Sequence, residues 1–216
     1  EKAAQEDREG LDVMPTLLQW VHQPEPPHFF ALLGEYGMGK TITCQGLADE
    51  LLKQRQNTPN LPLPLYFDLR NITGLDRRVP SLAEALEECM ERGWINQDGS
   101  SQYTLESLYE LIEKQAAVII FDGLDEVLVK LREADGQVFT NTLLKLQVNV
   151  EARRAHKNLK TPPLKILISC RTQFFRTLRD QHNHFTGQER GEHQAEAFAA
   201  LVLLPLNEEQ VIRYLR

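Results

Sequence analysis

Apolar positions along the chain follow two patterns, one typical of helices and one typical of buried strands. In residues 11–22 the apolar side chains recur every three or four positions, the spacing of one helical face. Residues 116–121 form a short uninterrupted apolar run instead, which favours a strand buried on both faces. The same criteria predict further helices over residues 41–56, 81–92, from 104 onward and over 137–156, and further strands over residues 28–33, 63–69, 164–169 and 200–204.

Strands that alternate with helices predict an α/β fold, in which a parallel sheet is covered by helices on both faces. We expect a lead-in helix and linker over residues 1–27, the α/β core over residues 28–205, and the start of a further, truncated helical domain over residues 206–216. Since the sequence begins with Glu1 rather than Met and ends inside a predicted helix, we expect it to be a piece of a longer protein.

Composition narrows the class of protein. The 216 residues include 24 Lys and Arg against 31 Asp and Glu, a formal net charge of −7, which weighs against a dedicated nucleic-acid scaffold. No apolar run reaches the roughly 18 residues that a membrane span needs. Cys44, Cys89 and Cys170 lie far apart without metal-binding spacing, which is typical of a reducing compartment. We therefore expect a cytoplasmic protein with no membrane span.

Charge is segregated along the chain. Residues 84–115 contain eight acidic and two basic residues, whereas residues 151–180 contain eight basic and two acidic residues. Such runs are commonly solvated faces. The alternative interpretation is that the basic stretch faces phosphates or an acidic partner domain, and the sequence leaves both open.

The strongest chemical signal is a glycine-rich stretch between a predicted strand and a predicted helix. Residues 34–41 read Gly-Glu-Tyr-Gly-Met-Gly-Lys-Thr and match the pattern G-x-x-x-x-G-K-[ST]. Glycines let the backbone N–H groups turn toward an anion, and the following helix adds its positive N-terminal end. Lys40 is then expected to contact the β- and γ-phosphates, and the Thr41 hydroxyl to ligate Mg²⁺. The alternative is a glycine-rich turn that binds no ligand. The predicted nucleotide-binding residues are Gly34, Glu35, Tyr36, Gly37, Met38, Gly39, Lys40, Thr41 and Ile42.

A cluster of acids follows the central apolar strand. Asp122 comes directly after residues 118–121, at a strand end where nucleotide-bound Mg²⁺ needs a carboxylate, so we predict it as a metal ligand beside Thr41. Asp125 and Glu126 follow closely, and three carboxylates at the end of a buried strand would repel one another without a cation. The alternative is that Asp125 and Glu126 only cap the next helix as acids at its N-terminus.

Together, the phosphate loop and an apolar strand followed by Asp-Gly-Leu-Asp-Glu resemble the NACHT family of STAND-class P-loop ATPases. Many P-loop ATPases place a catalytic Glu directly after the strand-end Asp. Here Gly123 stands at that position and the acids come later, which is the mark of the family. Residues 165–172 resemble the family's strand that ends in an arginine facing the γ-phosphate, and that arginine is Arg171.

Two further segments carry the resemblance. Residues 66–70 resemble the family's second strand, which an arginine often ends, and no catalytic role is assigned to Arg70. Residues 203–215 resemble the segment that leads into the helical domain behind the NTPase core. The resemblance implies a three-layer P-loop NTPase fold with a five-stranded parallel sheet in the order 5-1-4-3-2.

The resemblance also implies a function. ATP or ADP with Mg²⁺ would be the ligands, and Lys40, Asp125, Glu126 and Arg171 the catalytic residues, with Glu126 or Asp125 positioning the attacking water. The protein would be a slow ATPase that acts as a switch, controlling self-oligomerisation and effector activation in innate immunity or anti-phage defence, as a bacterial member of the family. Effector and sensor domains would lie outside residues 1–216.

Two other functions stay open at this point. One is a steady-state P-loop ATPase that acts on nucleic acid or as a remodelling motor. The only sequence feature that favours this function is the basic stretch 151–180. The other is a platform that holds nucleotide for structure alone. The intact set of Lys40, Thr41, Asp122 and Glu126 argues against this second alternative.

Overall fold

A five-stranded parallel sheet forms the centre of the fold. The structure is a computed structural model that describes residues 10–95, 103–175, 184–185, 198–205, 210 and 212. The strands are β1 (Phe29–Leu33), β2 (Leu63–Asp68), β3 (Ala117–Asp122), β4 (Lys165–Cys170) and β5 (Phe198–Val202). The helices are α1 (Val13–His22), α2 (Lys40–Asn57), α3 (Leu82–Gly93), α4 (Leu105–Lys114), α5 (Leu124–Leu128) and α6 (Glu133–His156).

The strand order is β2-β3-β4-β1-β5, which confirms the predicted order read from the other edge. β4 pairs in parallel with both β1 and β3, so the strand before the phosphate loop and the strand before Asp122 are not neighbours. Every residue of β1 and β3 is buried. Burial on both faces explains why these strands are continuous apolar runs rather than alternating ones.

Helices cover both faces of the sheet, and the side chains of β3 alternate between the two resulting cores. Ile119 and Phe121 pack in the core formed with α3, α4, α5 and α6. Val118 and Ile120 pack in the opposite core, formed with α1 and α2. This period of two is the geometry of an extended strand. The three-layer α/β fold predicted from the sequence is therefore confirmed.

Element ends differ from the predicted ones by a few residues, and one helix is absent from the prediction. α6 begins at Glu133, four residues before the predicted start at residue 137. α5 spans only the five residues Leu124–Leu128, too short for a helical period to appear in the sequence. Gly123 precedes α5 with a φ of +87°, a backbone conformation that only glycine adopts freely.

The acidic and basic stretches of the sequence pair with each other inside the fold. The carboxylate of Glu113, at the end of α4, is fully buried and accepts hydrogen bonds from Arg153 and Lys157 of α6. Arg153 also lies 2.6 Å from the Glu106 carboxylate. Arg153, Lys157 and Glu106 remain partly exposed to solvent, as the solvated-face interpretation expects, and they also pair within the fold.

Arg154 joins several segments from a buried position. Its side chain is 2% exposed and its guanidinium donates hydrogen bonds to the carbonyl oxygens of Ile112 at 2.6 Å, Pro162 at 2.6 Å and Gln115 at 3.1 Å. The Glu151 carboxylate lies 2.9 Å away and supplies the opposite charge. One side chain therefore holds the end of α4, the end of α6 and the loop before β4 together.

The N-terminal helix is attached to the sheet by a buried lysine. The Lys165 ammonium, at the start of β4, donates a hydrogen bond to the carbonyl oxygen of Trp20 and lies 5.2 Å from the centroid of its ring. Burial lowers the pKa of Lys165 to about 8. The Trp20 indole N–H donates in turn to the Pro27 carbonyl oxygen at 2.7 Å. α1 thus packs directly against the core.

Across the described ranges, no helix combines the length and apolar character that crossing a membrane requires. Of the predicted helical start over residues 206–216, only Gln210 and Ile212 belong to the described residues, and both are helical.

We predict that Arg154→Ala destabilises the fold by about 3–5 kcal/mol, because it leaves buried carbonyl groups without their donor. Urea denaturation followed by circular dichroism measures the change in the free energy of unfolding. Lys114→Ala is the matched control, since it removes an exposed ion pair on α4 and should change the free energy of unfolding little. Equal effects of the two substitutions would contradict the prediction.

Candidate functional site

A cleft of about 320 Å³ opens at the carboxyl edge of the sheet. The phosphate loop and the start of α2 contribute six lining residues, Tyr36, Gly37, Gly39, Lys40, Thr41 and Ile42. The carboxyl ends of β3 and β4 and the segments that follow β2, β3 and β4 contribute Arg70, Asp122, Gly123, Asp125, Glu126, Ser169 and Arg171. Carboxyl ends of parallel strands are where ligands bind in open α/β folds. Most of the residues singled out from the sequence therefore meet in one place.

Three glycines shape the phosphate loop, two through their backbone conformation and one through close packing. Gly37 and Gly39 have φ angles of +79° and +84°, in the left-handed region that other residues rarely adopt. Gly34 has a different constraint, because a Cβ added there would lie 3.2 Å from the Cβ of Leu203. The loop therefore curls tightly before α2 begins at Lys40.

The Lys40 ammonium lies within the loop. It donates hydrogen bonds to the carbonyl oxygens of Gly34 at 2.8 Å and Glu35 at 3.0 Å. Of the predicted nucleotide-binding residues, Gly34, Glu35 and Met38 belong to the loop without lining the cleft. The cleft thus has a cationic group beside the N-terminal end of α2, an arrangement suited to phosphate.

The buried Asp122 carboxylate accepts hydrogen bonds from neutral donors. It is 1% exposed, and its Oδ2 accepts a hydrogen bond of 2.8 Å from the Tyr66 hydroxyl. Its Oδ1 accepts a hydrogen bond from the Ser169 hydroxyl, whose oxygen accepts in turn from the Gly123 N–H at 2.9 Å. Burial, with the nearby Asp122 charge, raises the pKa of the Tyr66 hydroxyl. Burial and the same carboxylate also raise the pKa of the Cys44 thiol.

Asp125 and Glu126 share one arginine. The Arg171 Nε lies 2.6 Å from Asp125 Oδ2, and its Nη2 lies 3.0 Å from Glu126 Oε1. The Asp125 side chain is 5% exposed and that of Glu126 is 42% exposed. Burial raises the pKa of Asp125, although Arg171 and Lys40 act in the opposite direction. The two acids therefore do more than cap α5, because both are engaged across the cleft by Arg171.

The phosphate loop also touches the segment after β4. The Arg171 guanidinium carbon lies 5.2 Å from the centroid of the Tyr36 ring, and the Thr172 hydroxyl donates a hydrogen bond to Glu35 Oε1. The Tyr36 residue is otherwise 81% exposed. Arg171 thus pairs with two carboxylates and lies over an aromatic ring.

Three polar residues of the site have no assigned role in the sequence-based prediction. Ser169 and Tyr66 hold Asp122, and Arg70 lines the cleft while pairing with Asp68 at 2.7 Å. The signal that could have found Ser169 is its place at the end of a buried strand beside the Asp122 strand. A polar residue there faces the same sheet edge as the acids.

The donor set fits a nucleotide-bound metal ion. Within the described ranges, no group of three or more His, Cys, Asp and Glu side chains could hold a metal alone. The Thr41 hydroxyl and the Asp122 carboxylate line the same cleft and are oxygen donors, the type that Mg²⁺ prefers. Since Mg²⁺ is commonly bound by one or two protein ligands together with substrate phosphates, these residues fit it.

The phosphate loop after β1, the parallel sheet and the acid cluster after β3 together define a P-loop NTPase, a class that binds nucleotide and typically uses Mg²⁺. The family model of the NACHT domain matches residues 28–216. The chain therefore belongs to the NACHT family.

Two solved structures from Aeropyrum pernix share the fold. The ORC2 protein, solved as ADPNP-ADP complexes, matches with a TM-score of 0.54 and 15% identity, over 94% of this chain and 47% of that one. The ORC1 protein, solved in complex with DNA, matches with a TM-score of 0.50 and 17% identity, over 93% of this chain and 46% of that one. This chain thus spans about half the length of either structure. None of the curated proteins matches the sequence.

We predict that Lys40→Ala weakens ADP binding about 10- to 100-fold, because it removes the cation that would pair with the phosphates. Titration of a fluorescent ADP analogue measures the Kd. Lys53→Ala, which removes a lysine 63% exposed on the same helix, is the control and should bind as the wild type does. A Kd unchanged by Lys40→Ala would refute the assignment.

Proposed function

We propose that this chain is the nucleotide-binding part of a STAND-class signalling switch, which binds ATP or ADP with Mg²⁺ and hydrolyses ATP slowly. The observation that carries the proposal is the contact of Arg171 with both Asp125 and Glu126 in the cleft that also contains Lys40. With this arrangement, ATP and ADP would leave one arginine with different partners.

The difference between the two nucleotides is the γ-phosphate, a negative group that would compete for Arg171. A γ-phosphate beside Lys40 would attract the guanidinium and repel the carboxylates of Asp125 and Glu126. ADP lacks this group and leaves the ion pairs in place. A ligand shifts a conformational equilibrium only by its difference in affinity for the two states, and this exchange of partners would supply that difference.

Within the catalytic set of Lys40, Asp125, Glu126 and Arg171, we assign the positioning of the attacking water to Glu126. Its side chain is 42% exposed, whereas that of Asp125 is 5% exposed and lies closer to Arg171. A carboxylate that must meet both water and a phosphate needs this access.

The metal ligands complete the proposed site. Thr41 and Asp122 would hold Mg²⁺, which would offset the charge of the β- and γ-phosphates. The described residues around the cleft contribute further positive charge through Lys40, Arg171 and Arg70, the last of which is paired with Asp68. Hydrolysis would then depend on Glu126 orienting a water toward the γ-phosphate.

Family membership supports the wider part of the proposal. Self-oligomerisation of the NTPase, control of an effector domain and a role in innate immune or anti-phage defence would follow from membership of this family. The effector and sensor domains would belong to the same protein, outside residues 1–216. Such a switch would act in the cytoplasm.

The rival function, a steady-state ATPase acting on nucleic acid, has less support from the charge distribution. It would use the basic stretch 151–180 as a track for phosphates. In that stretch Arg153 and Lys157 pair with Glu113, and Arg154 is buried. Of these three cations, Arg154 is buried away from solvent, and Arg153 and Lys157 would have to leave the Glu113 carboxylate before they could form a track for phosphates.

We predict that Glu126→Ala slows ATP hydrolysis about 100-fold or more and retains nucleotide, because the group that orients water is lost while the phosphate loop is intact. Phosphate release measures the rate, and titration of a fluorescent ADP analogue measures retention. Glu110→Ala removes an exposed glutamate from α4 and is the control. Equal hydrolysis rates in Glu126→Ala and the wild type would contradict the assigned role.

Arg171→Ala tests the switch itself. In the wild type, a non-hydrolysable ATP analogue should convert the purified protein to oligomers while ADP leaves it monomeric, as measured by size-exclusion chromatography with light scattering. Arg171→Ala should bind both nucleotides and lose the difference between them, because the γ-phosphate no longer has a partner to withdraw from the acids. If both nucleotides gave the wild type the same oligomeric state, the switch proposal would fail.

A further inference from the structure

The carboxylate of Asp122 is held from both neighbouring strands. Tyr66 lies on β2, and its hydroxyl donates to Oδ2 at 2.8 Å. Ser169 lies on β4, and its hydroxyl donates to Oδ1. β3 runs between these two strands, with Asp122 opposite Asp68 of β2. Each oxygen therefore accepts from a hydroxyl on a neighbouring strand, and the orientation of the carboxylate is set by the sheet rather than by a flexible loop.

Both donors are neutral, so they orient the carboxylate without removing its charge. None of the ion pairs among the described residues involves Asp122, whereas the neighbouring acids Asp125 and Glu126 are both paired with Arg171. Asp122 is nevertheless 1% exposed. A buried carboxylate without a cationic partner is costly. Since a carboxylate has about four acceptor positions and the two hydroxyls occupy two of them, Asp122 retains capacity to meet a cation directly or through water.

Ser169 has a second contact that Tyr66 lacks. Its oxygen accepts a hydrogen bond of 2.9 Å from the Gly123 N–H. Gly123 precedes α5, the helix that carries Asp125 and Glu126. The Ser169 hydroxyl thus links the Asp122 carboxylate to the backbone just before α5, the helix that carries Asp125 and Glu126.

We propose that Tyr66 and Ser169 are positioning residues for the metal ion, which set the affinity for Mg²⁺ by orienting Asp122. Ser169 has the added role of aligning the metal ligand with α5. This inference rests on the proposed function in taking Asp122 as a ligand of nucleotide-bound Mg²⁺. Partners of metal-ligating carboxylates commonly change metal affinity 10- to 100-fold when removed.

The test compares Tyr66→Phe and Ser169→Ala by the Mg²⁺ dependence of nucleotide binding. The Kd of a fluorescent ADP analogue is measured in EDTA and then across a Mg²⁺ titration. Both variants should bind as the wild type does in EDTA, because the phosphate loop is untouched. The Mg²⁺ concentration at half effect should rise about 10- to 100-fold in each. Ser169→Thr, which keeps the hydroxyl, should restore most of the affinity.

The rate of ATP hydrolysis distinguishes the role of Ser169 from that of Tyr66. At saturating Mg²⁺, Ser169→Ala should lower kcat more than Tyr66→Phe does, because only Ser169 contacts Gly123. Tyr103→Phe is the matched control for loss of a tyrosine hydroxyl, since Tyr103 is 52% exposed and packs against Trp94. Circular dichroism melts verify that each variant is folded.

Two results would overturn the inference. One is an unchanged Mg²⁺ midpoint in Tyr66→Phe and Ser169→Ala while Asp122→Asn loses the Mg²⁺ effect, which would leave Asp122 as a ligand that needs no positioning. The other is a wild type whose nucleotide affinity does not respond to Mg²⁺. Failure of the switch alone would appear differently, as a normal Mg²⁺ response without any nucleotide-dependent change in oligomeric state.

Discussion

Repulsion among carboxylates at the end of β3 is the constraint on which the site depends. Asp122 and Asp125 are both buried, where charges interact strongly and water does little to screen them. The fold stabilises the two buried carboxylates in different ways. Neutral hydroxyls donate hydrogen bonds to Asp122, and the Arg171 guanidinium pairs with Asp125. Both solutions use β4, since Ser169 and Arg171 come from its carboxyl end. The central place of β4 in the sheet is therefore what allows three acids to stand so close together.

Much of the fold could be predicted from the sequence because burial leaves a direct signature. β1 and β3 are continuous apolar runs, and such runs identify strands covered on both faces. The short α5 could not be found in this way, since five residues are too few to display a helical period. Pairing between distant segments was equally invisible. The contact of Glu113 with Arg153 depends on how α4 and α6 pack, which no local pattern encodes.

The candidate site was predictable where its chemistry is local. The phosphate loop places Lys40 and Thr41 side by side in sequence and in the cleft. The neutral donors around Asp122 come from two other strands, so only the sheet order brings them together. Tyr66 carries no signal of its own, because an aromatic residue in a strand is ordinary. What sequence reasoning missed is thus the support of the site rather than most of the residues that line the cleft.

β4 also carries a structural contact at each of its ends. Its first residue, Lys165, holds α1 through the Trp20 carbonyl, and Arg171 directly follows its last residue. Six extended residues span about 20 Å, and hydrogen bonds to strands on both sides make such a segment stiff. One strand therefore joins the lysine that anchors α1 to the arginine that pairs with the two acids, so both attachments depend on the same six residues.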